Sequence, residues 1–132
     1  MKIKASLDTI ILYVQSVENL KTFYARLFNF PVVEEYDSVW ALLDAGGAKI
    51  GLHKIGEQYS KKIKGNFKVD NNTKIVFEIG EDINQVRTGL IEQHVLMREI
   101  KTFDNYEFWL CDGEDPEGNV FQLKQRKIAS AL

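Results

Sequence analysis

Apolar residues follow one another almost without a break from Thr9 to Val14, which is typical of a buried β-strand. Ser16 can cap a helix, and apolar residues then recur every three or four positions, which predicts a helix with one buried face. The residues of this stripe are Leu20, Phe23, Tyr24, Leu27 and Phe28. Asn29 favours the left-handed conformation that ends helices and Pro31 cannot continue one, so the helix should end near Phe28.

Three more strands are predicted in the first half of the chain. The first begins at about Val32, the second spans Val39 to Leu43, and the third spans Lys49 to His53. Ala45-Gly46-Gly47 joins the last two strands, because glycine supplies the positive φ that a tight hairpin requires. The first half therefore has the predicted order β-α-β-β-β.

The second half repeats this order, starting with a strand from Lys74 to Ile79. Asp82 is the predicted helix cap, with Gln85 three residues later. The buried stripe of this helix would be Ile83, Val86, Leu90 and Ile91. The remaining strands are predicted at about Met97 to Phe103, Glu107 to Cys111 and Val120 to Lys124. Two repeats are too few for a solenoid, so the pattern indicates two modules that pair with each other.

The predicted organisation is a single domain over residues 1–132, with modules at about 5–54 and about 72–126 and a linker at about 55–71. A connection of that length is usually a linker or a functional flap. Its lysines are Lys61, Lys62, Lys64 and Lys68. They fit a solvated linker best, although contact with an anionic ligand is an alternative.

Composition narrows the class of protein further. The chain has 132 residues, of which 45% are apolar, enough for a sizeable core. Its net charge of −2, from 17 basic and 19 acidic residues, provides no field for nucleic-acid binding. The apolar run Ile10 to Val14 is too short for a signal or membrane segment, so a cytoplasmic protein without a membrane partner is expected. Cys111, the single cysteine, is read as a small buried hydrophobe.

Two segments resemble a known superfamily. Val14 to Tyr24 is similar to a strand-to-helix entry ending in Phe-Tyr, and Asp115 to Leu123 is similar to an Asp-Pro-Asp/Glu-Gly-Asn turn with its final strand. Both resemble the vicinal oxygen chelate superfamily, which includes glyoxalase I, extradiol dioxygenases, fosfomycin-resistance enzymes and bleomycin-resistance proteins. The resemblance implies an α+β fold in which two tandem βαβββ modules form a half-open barrel around a concave site. It also implies a homodimer.

In metal-using members of this superfamily, the metal ligands occupy positions that match Thr9, Gly51, Lys74 and Gln122. Only Gln122 is a plausible ligand, because Gly51 has no side chain and a protonated Lys74 repels a cation. We therefore expect no cofactor, and a bound divalent metal is disfavoured.

Strand parity and aromatic content suggest a ligand-binding set that faces the expected cavity. Its members are Tyr13, Trp40, His53, Lys74, Trp109 and Gln122. His53 suits acid-base work by residue type, yet a hydrogen-bonded or rim histidine is the more common role. Lys74 would either pair with Glu78 or hold a carboxylate or phosphate. His94 should lie at a helix C-terminus and has no assigned catalytic role.

The leading hypothesis is a binder of a small organic ligand that resembles the bleomycin-resistance branch and lacks a complete metal site. One alternative is a metal-dependent lyase, isomerase or dioxygenase-like enzyme that uses Gln122 with His53 and Glu78. Another is a non-catalytic dimeric scaffold. No catalytic residue is identified, and the fold alone does not decide whether the protein is an enzyme.

Overall fold

The structure is a computed structural model that describes residues 1–2, 4–56 and 73–128. These residues fall into two units, one on each side of the gap. Most of the predicted linker, including its four lysines, lies outside the described residues.

The first unit contains one helix and a four-stranded sheet. Its elements are β1 (Thr9–Val14), α1 (Val17–Phe28), β2 (Val32–Tyr36), β3 (Trp40–Asp44) and β4 (Lys49–Lys54). The strand order is β1-β4-β3-β2, and the β1–β4 pair is parallel whereas the other pairs are antiparallel. The predicted order of elements in this half is confirmed.

Helix α1 begins and ends as its sequence predicts. The Ser16 hydroxyl accepts a hydrogen bond from the Asn19 amide at 3.1 Å, which satisfies one of the free donors of the first turn. Asn29 takes the left-handed conformation, with φ 56°. Leu20 and Tyr24 are fully buried between the helix and the sheet. Burial of large apolar side chains of this kind is the main source of stability.

Helix α1 covers only one face of the first sheet. Leu12 and Val14 on β1 are buried on the helix side, whereas Ile11 and Tyr13 are 44% and 63% exposed on the other side. The prediction of a buried strand therefore holds for the helix side of β1 only. Alternating side chains lie on opposite faces of a strand, so the sheet has one packed face and one open face.

The second unit repeats this topology. Its elements are β5 (Lys74–Glu78), α2 (Ile83–Glu92), β6 (Leu96–Met97), β7 (Phe108–Glu114) and β8 (Val120–Arg126). The strand order is β5-β8-β7-β6, again with a parallel pair formed by the first and last strands. Two tandem βαβββ units are thus present, as predicted. In the described part of the chain, no helix is long and apolar enough to cross a membrane.

Strands β6 and β7 differ from the prediction. Strand β6 has two residues, and beyond it only an isolated bridge joins Lys101 to Leu110. Strand β7 continues past Cys111 to Glu114 through Gly113. A Cβ on Gly113 would lie 2.5 Å from both Met97 Sδ and Phe121 Cζ. Glycine here allows close side-chain packing inside a strand, a role that differs from its usual role in a turn.

The Asp115–Asn119 turn is built around one buried carboxylate. Asp115 Oδ1 accepts hydrogen bonds from the amides of Glu117 and Asn119, both at 2.9 Å, and from the Asn119 side chain at 3.2 Å. Gly118 supplies the positive φ of 84°. The most specific motif in the sequence is therefore a structural turn that leads into β8.

Both termini of helix α2 are capped. Asp82 accepts hydrogen bonds from the amides of Asn84 and Gln85, as its predicted capping role requires. At the other end, the Val95 amide donates to the Leu90 carbonyl at 3.0 Å and the His94 amide donates to the Ile91 carbonyl at 2.9 Å. This hydrogen-bond pattern is a Schellman motif. The stripe is buried at Ile83 and Leu90, but Ile91 is 44% exposed.

His94 occupies the left-handed position of the Schellman motif, with φ 64°. A side chain with a Cβ is strained there, whereas glycine is not. We expect His94→Gly to raise the free energy of unfolding by about 0.5–1 kcal/mol. Urea unfolding at pH 7 measures this change. Gln93→Gly is the matched control, because Gln93 has φ −94° and should lose stability on the same substitution. Equal effects at both positions would contradict the assignment.

Candidate functional site

The open face of the first sheet carries a row of ring side chains. The strand register aligns Tyr13 with His53, His53 with Trp40, and Trp40 with Tyr36. Directly opposed residues point to the same face of a sheet, so these four side chains form one row across all four strands. We call these four residues the aromatic row.

The rings of the aromatic row are close and exposed. The centroids of Tyr13 and His53 are 5.5 Å apart, and those of Trp40 and His53 are 6.1 Å apart. Both separations lie within the range of favourable ring contacts. Tyr13 and Tyr36, at the two ends, are 63% and 67% exposed. The row therefore forms a broad, exposed aromatic surface.

The Trp40 side chain is held in place by one hydrogen bond and by close packing on Gly51. Its indole nitrogen donates to Glu34 Oε1 at 3.1 Å. Its ring lies over Gly51, where a Cβ would lie 2.9 Å from Trp40 Cζ3, closer still to Cη2, and 3.2 Å from Ile11 Cγ1. The indole can occupy this position only because Gly51 has no side chain.

His53 has a hydrogen bond that defines its tautomer. Its Nδ1 lies 2.8 Å from the Lys54 carbonyl oxygen. Because a carbonyl oxygen only accepts, Nδ1 carries the proton, and Nε2 of the neutral ring is an acceptor. The structure thus places His53 as a hydrogen-bonded histidine within a ring surface, the more common of the two roles considered from sequence.

The open face of the second sheet carries a charged cluster around Asp112. Lys74 Nζ donates to Asp112 Oδ2 at 2.8 Å, and Gln122 Nε2 donates to Asp112 Oδ1 at 2.9 Å. Arg98 Nη1 lies 3.6 Å from Oδ2 of the same carboxylate. We call Asp112, Lys74, Gln122 and Arg98 the Asp112 cluster. Asp112 itself is buried, whereas the side chains of Lys74 and Arg98 are 37% and 51% exposed.

The surroundings of Asp112 favour its charged form. Burial by itself raises the pKa of the Asp112 carboxyl, because it removes water from the charge. The hydrogen bonds from Lys74 and Gln122, together with the positive charges of Lys74 and Lys101, outweigh burial, so the pKa is lower than the ordinary value of 3.8. Asp112 is therefore a carboxylate at neutral pH and holds its cationic neighbours in place.

The structure divides the predicted binding set between the two units. It groups Tyr13, Trp40 and His53 in the first unit, and it groups Lys74 with Gln122 in the second. Sequence reasoning missed Tyr36, Asp112 and Arg98. The predicted strand stopped at Cys111, so Asp112 was assigned to no face of the sheet.

Trp109 was predicted to line the same cavity as Gln122, and this grouping is wrong. In the register of β7 and β8, Trp109 pairs with Gln125 and Asp112 pairs with Gln122. Trp109 and Asp112 are separated by an odd number of positions along β7. Trp109 therefore lies on the opposite face of the sheet. Gln125 accepts a hydrogen bond from the amide of Ile83, the first residue of α2, which identifies this face as the helix side.

The predicted choice of partner for Lys74 is also corrected. Its ion pair is with Asp112 on another strand, whereas Glu78, one of the two alternatives considered from sequence, lies on the same strand as Lys74. Asp112 is 38 residues away in sequence, so the pairing depends on the order of strands in the sheet.

Cys111 lies on the helix side of β7 and is fully buried. Its thiol donates to the Arg98 carbonyl at 3.3 Å. Burial raises the pKa of the Cys111 thiol, which keeps it protonated and unreactive. The sequence-based interpretation as a buried hydrophobe agrees with this environment.

The four positions that match the superfamily's metal ligands do not provide a usual donor set. Thr9 donates to Asp8 at 2.6 Å, and the Trp40 ring covers Gly51. Lys74 is a cation paired with Asp112, and Gln122 directs its amide nitrogen at the same carboxylate. Over residues 4–56 and 73–128, no three His, Cys, Asp or Glu side chains are grouped so that they could hold a metal ion. These residues do not fit the superfamily's metal.

Comparison with solved structures identifies the fold. A lactoylglutathione lyase from Agrobacterium tumefaciens is 14% identical, with a TM-score of 0.71, over 94% of this chain and 96% of that chain. An antibiotic binding protein from a Streptomyces species is 17% identical, with a TM-score of 0.70, over 96% and 100% of the two chains. A fosfomycin resistance protein from Listeria monocytogenes is 15% identical, with a TM-score of 0.65, over 97% of each chain.

These similarities show that the chain shares the fold of these proteins, the glyoxalase/bleomycin-resistance fold predicted from sequence. At these identities the comparison establishes the fold and leaves the activity open. No protein-family model matches the sequence, and neither does any curated protein sequence.

The packing of Trp40 on Gly51 predicts the effect of a single methyl group. We expect Gly51→Ala to displace the indole and lower the free energy of unfolding by about 1–3 kcal/mol. Gly47→Ala is the matched control, because a Cβ at Gly47 meets nothing within 4 Å. Urea unfolding gives the stabilities, and the tryptophan band of the near-ultraviolet circular dichroism spectrum reports on Trp40 in a Trp109→Phe background. Equal stability and equal spectra for the two variants would refute the packing argument.

The lowered pKa of Asp112 predicts acid-sensitive stability. The unfolded chain takes up a proton at this carboxyl near pH 3.9, before the folded protein does, so the stabilisation is present above that pH and is lost as pH falls below it. We expect Asp112→Asn to cost about 1–3 kcal/mol at pH 7. The difference from wild type should shrink as pH falls below about 4. Urea unfolding between pH 7 and pH 2.5 tests this, and a difference independent of pH would disprove it.

Proposed function

We propose that this protein binds a small, flat organic ligand on the aromatic row, without a metal ion at the contact. The observation that carries the proposal is the alignment of Tyr13, His53, Trp40 and Tyr36 across the open face of the first sheet. Ring contacts of this type are each worth about 0.5–1.5 kcal/mol beyond the burial of area. Four adjacent rings supply enough contact surface for a specific complex.

The exposure of the row supports a binding role over a core role. Rings that stabilise a domain are normally buried, yet Tyr13 and Tyr36 are more than 60% exposed. The core of this unit is already provided by the opposite face, where Leu12, Val14 and Leu52 are buried against α1. The aromatic row is therefore not needed to complete that core.

Polar groups beside the rings can orient a ligand. His53 Nε2 is an acceptor, and Tyr13 and Tyr36 carry hydroxyl groups that donate and accept. Small-molecule sites are usually apolar surfaces with a few such groups. The combination favours a planar ligand with hydroxyl, carbonyl or amine substituents on its edge.

The geometry at Gly51 supports the metal-independent form of the proposal. The position that corresponds to a metal-binding glutamate in the superfamily has no side chain here, and the Trp40 ring lies over it. One similar structure is described as an antibiotic binding protein, so this fold is compatible with ligand binding as a function. The homodimer that the family resemblance implies stays a prediction.

The test uses the fluorescence of Trp40. The chain has two tryptophans, and Trp109→Phe leaves Trp40 as the single emitter. Naphthol and anthraquinone serve as uncharged planar probes, each titrated with EDTA and with Zn²⁺ or Mn²⁺. We expect at least one probe to quench Trp40 saturably and with equal affinity in all three conditions. Removal of one stacking ring in Tyr13→Ala or Tyr36→Ala should weaken binding about tenfold.

Phe103→Ala is the matched control, because Phe103 is 59% exposed but lies outside the aromatic row. Its affinity should equal that of the parent protein. Saturable binding that is unchanged in Tyr13→Ala and Tyr36→Ala would refute the site. Binding or thermal stabilisation that requires the metal would instead favour a metal-dependent enzyme.

A further inference from the structure

We propose that the Asp112 cluster on the second unit is a separate binding site for an anionic group, of the phosphate or carboxylate class. This site goes beyond the aromatic row, because the two share no residue and lie on different sheets. The proposal rests on how two cations, one carboxylate and one amide are arranged.

Two cations converge on one atom of the cluster. Lys74 Nζ and Arg98 Nη1 are both placed against Asp112 Oδ2, at 2.8 Å and 3.6 Å. Lys74 reaches this point from β5, and Arg98 lies just after β6, so residues from opposite edges of the sheet meet over β7. Asp112 thus holds a lysine and an arginine side by side on one surface.

The cations retain donors for a ligand. An ammonium has three N–H donors and a guanidinium has five. The hydrogen bond to Asp112 uses one donor of Lys74, and the 3.6 Å contact of Arg98 is an ion pair too long for a strong hydrogen bond. The carboxylate lies beneath, 7% exposed, while the two cationic side chains reach solvent. The outward donors are suited to an oxyanion, which an arginine fork binds in two-point fashion.

Gln122 adds an acceptor to this surface. A carboxylate only accepts hydrogen bonds, so the contact between Gln122 and Asp112 Oδ1 fixes the amide nitrogen inward. The amide oxygen of Gln122 is then directed away from Asp112. A ligand that combines negative charge with an O–H group, as hydrogen phosphate does, complements both the cations and this oxygen.

The fold itself does not require the cluster. In the equivalent register of the first unit, Leu42 takes the place of Asp112, Gly51 that of Gln122, and Thr9 that of Lys74. That unit forms the same sheet without any of these charges. Stability alone does not explain why this unit has a buried carboxylate, because apolar residues in place of a buried ion pair often give a protein of equal stability.

The local charge also favours an anion. Lys101 adds a positive charge that acts on Asp112. Arg98 has a second acidic neighbour, Glu114, at 4.0 Å from Nη2. Three cations thus surround two carboxylates, and one anionic ligand would balance the set. Val76, which is 49% exposed and pairs with Gln122 in the register, provides an apolar neighbour for the rest of such a ligand.

The experiment titrates the full chain with inorganic phosphate, sulfate and acetate by isothermal calorimetry at pH 7.5 and constant ionic strength. We expect saturable binding of phosphate. Sulfate has the same charge as hydrogen phosphate but no O–H, so it should bind at least fivefold more weakly in wild type. Gln122→Met should abolish that preference. Acetate tests whether the site prefers a carboxylate group to a phosphate group. Saturable binding of acetate that is tighter than that of phosphate would assign the site to carboxylates.

Lys74→Met should weaken phosphate binding at least tenfold. Lys49→Met is the matched control, because the Lys49 side chain lies on the first sheet, is 38% exposed and forms an ion pair with Asp8. The affinity of this variant for phosphate should stay within twofold of wild type. Arg98→Gln, at an exposed position, should weaken binding about fivefold. The double variant Lys74→Met/Asp112→Asn removes the buried charge together with its partner, so it should fold and still fail to bind.

Two results would overturn the proposal. One is a phosphate titration of wild-type protein that does not saturate. The other is an equal affinity in wild type, Lys74→Met and Lys49→Met. Because the fluorescence test of the aromatic row uses other residues and uncharged probes, the two proposals can fail separately.

Discussion

The parallel pairing of the first and last strands in each unit is the constraint on which the rest of the structure depends. It aligns Ile11 with Gly51 in one sheet and Val76 with Gln122 in the other. With a helix packed on one face, this register decides which side chains are buried and which are presented. A shift of one residue would turn every outward side chain into the core, so the buried apolar residues of β1 and β4 fix the open face as well.

The two units use the same scaffold for different surfaces. In the first, the absence of a side chain at Gly51 admits the Trp40 indole, and rings occupy one complete row of the open face. In the second, Gln122 stands at the matching position and bonds to a buried carboxylate. A duplicated fold therefore carries an aromatic surface and a charged surface, and neither is required by the packing of its own core.

The residues at the positions that match the superfamily's metal ligands also differ from a usual donor set. A divalent metal site needs several anionic or imidazole donors at fixed positions, whereas the matching positions here hold a hydroxyl, no side chain, a cation and an amide. The fold is retained because it depends on the apolar helix-facing residues and on turns such as Asp115–Asn119. The site residues lie on the other face and are free to vary without loss of the fold.

Sequence reasoning failed where it depended on the end of one strand. The dipeptide Asp112-Gly113 has the composition of a turn, but Gly113 lies inside β7, where Met97 and Phe121 leave no room for a Cβ. Without the correct length of β7, Asp112 had no assigned face. The side of Trp109 could have been read from the parity of β7, although its pairing with Gln125 was not visible in the local pattern. Both errors concern which face of the sheet a residue of β7 occupies.

The sequence alone determined the order of elements in both units, the caps at Ser16 and Asp82, the left-handed end at Asn29, and the fold class. The order of elements and the caps follow from the spacing of apolar residues and from local backbone chemistry. The fold class followed from the resemblance of residues 14–24 and 115–123 to a known superfamily. Only the tertiary structure decided that Tyr36 joins Tyr13, His53 and Trp40 in one row, and that Lys74 and Arg98 meet at Asp112. The physical reason is that strand register and side-chain packing bring these residues together from separate strands, and local sequence preferences do not specify that register.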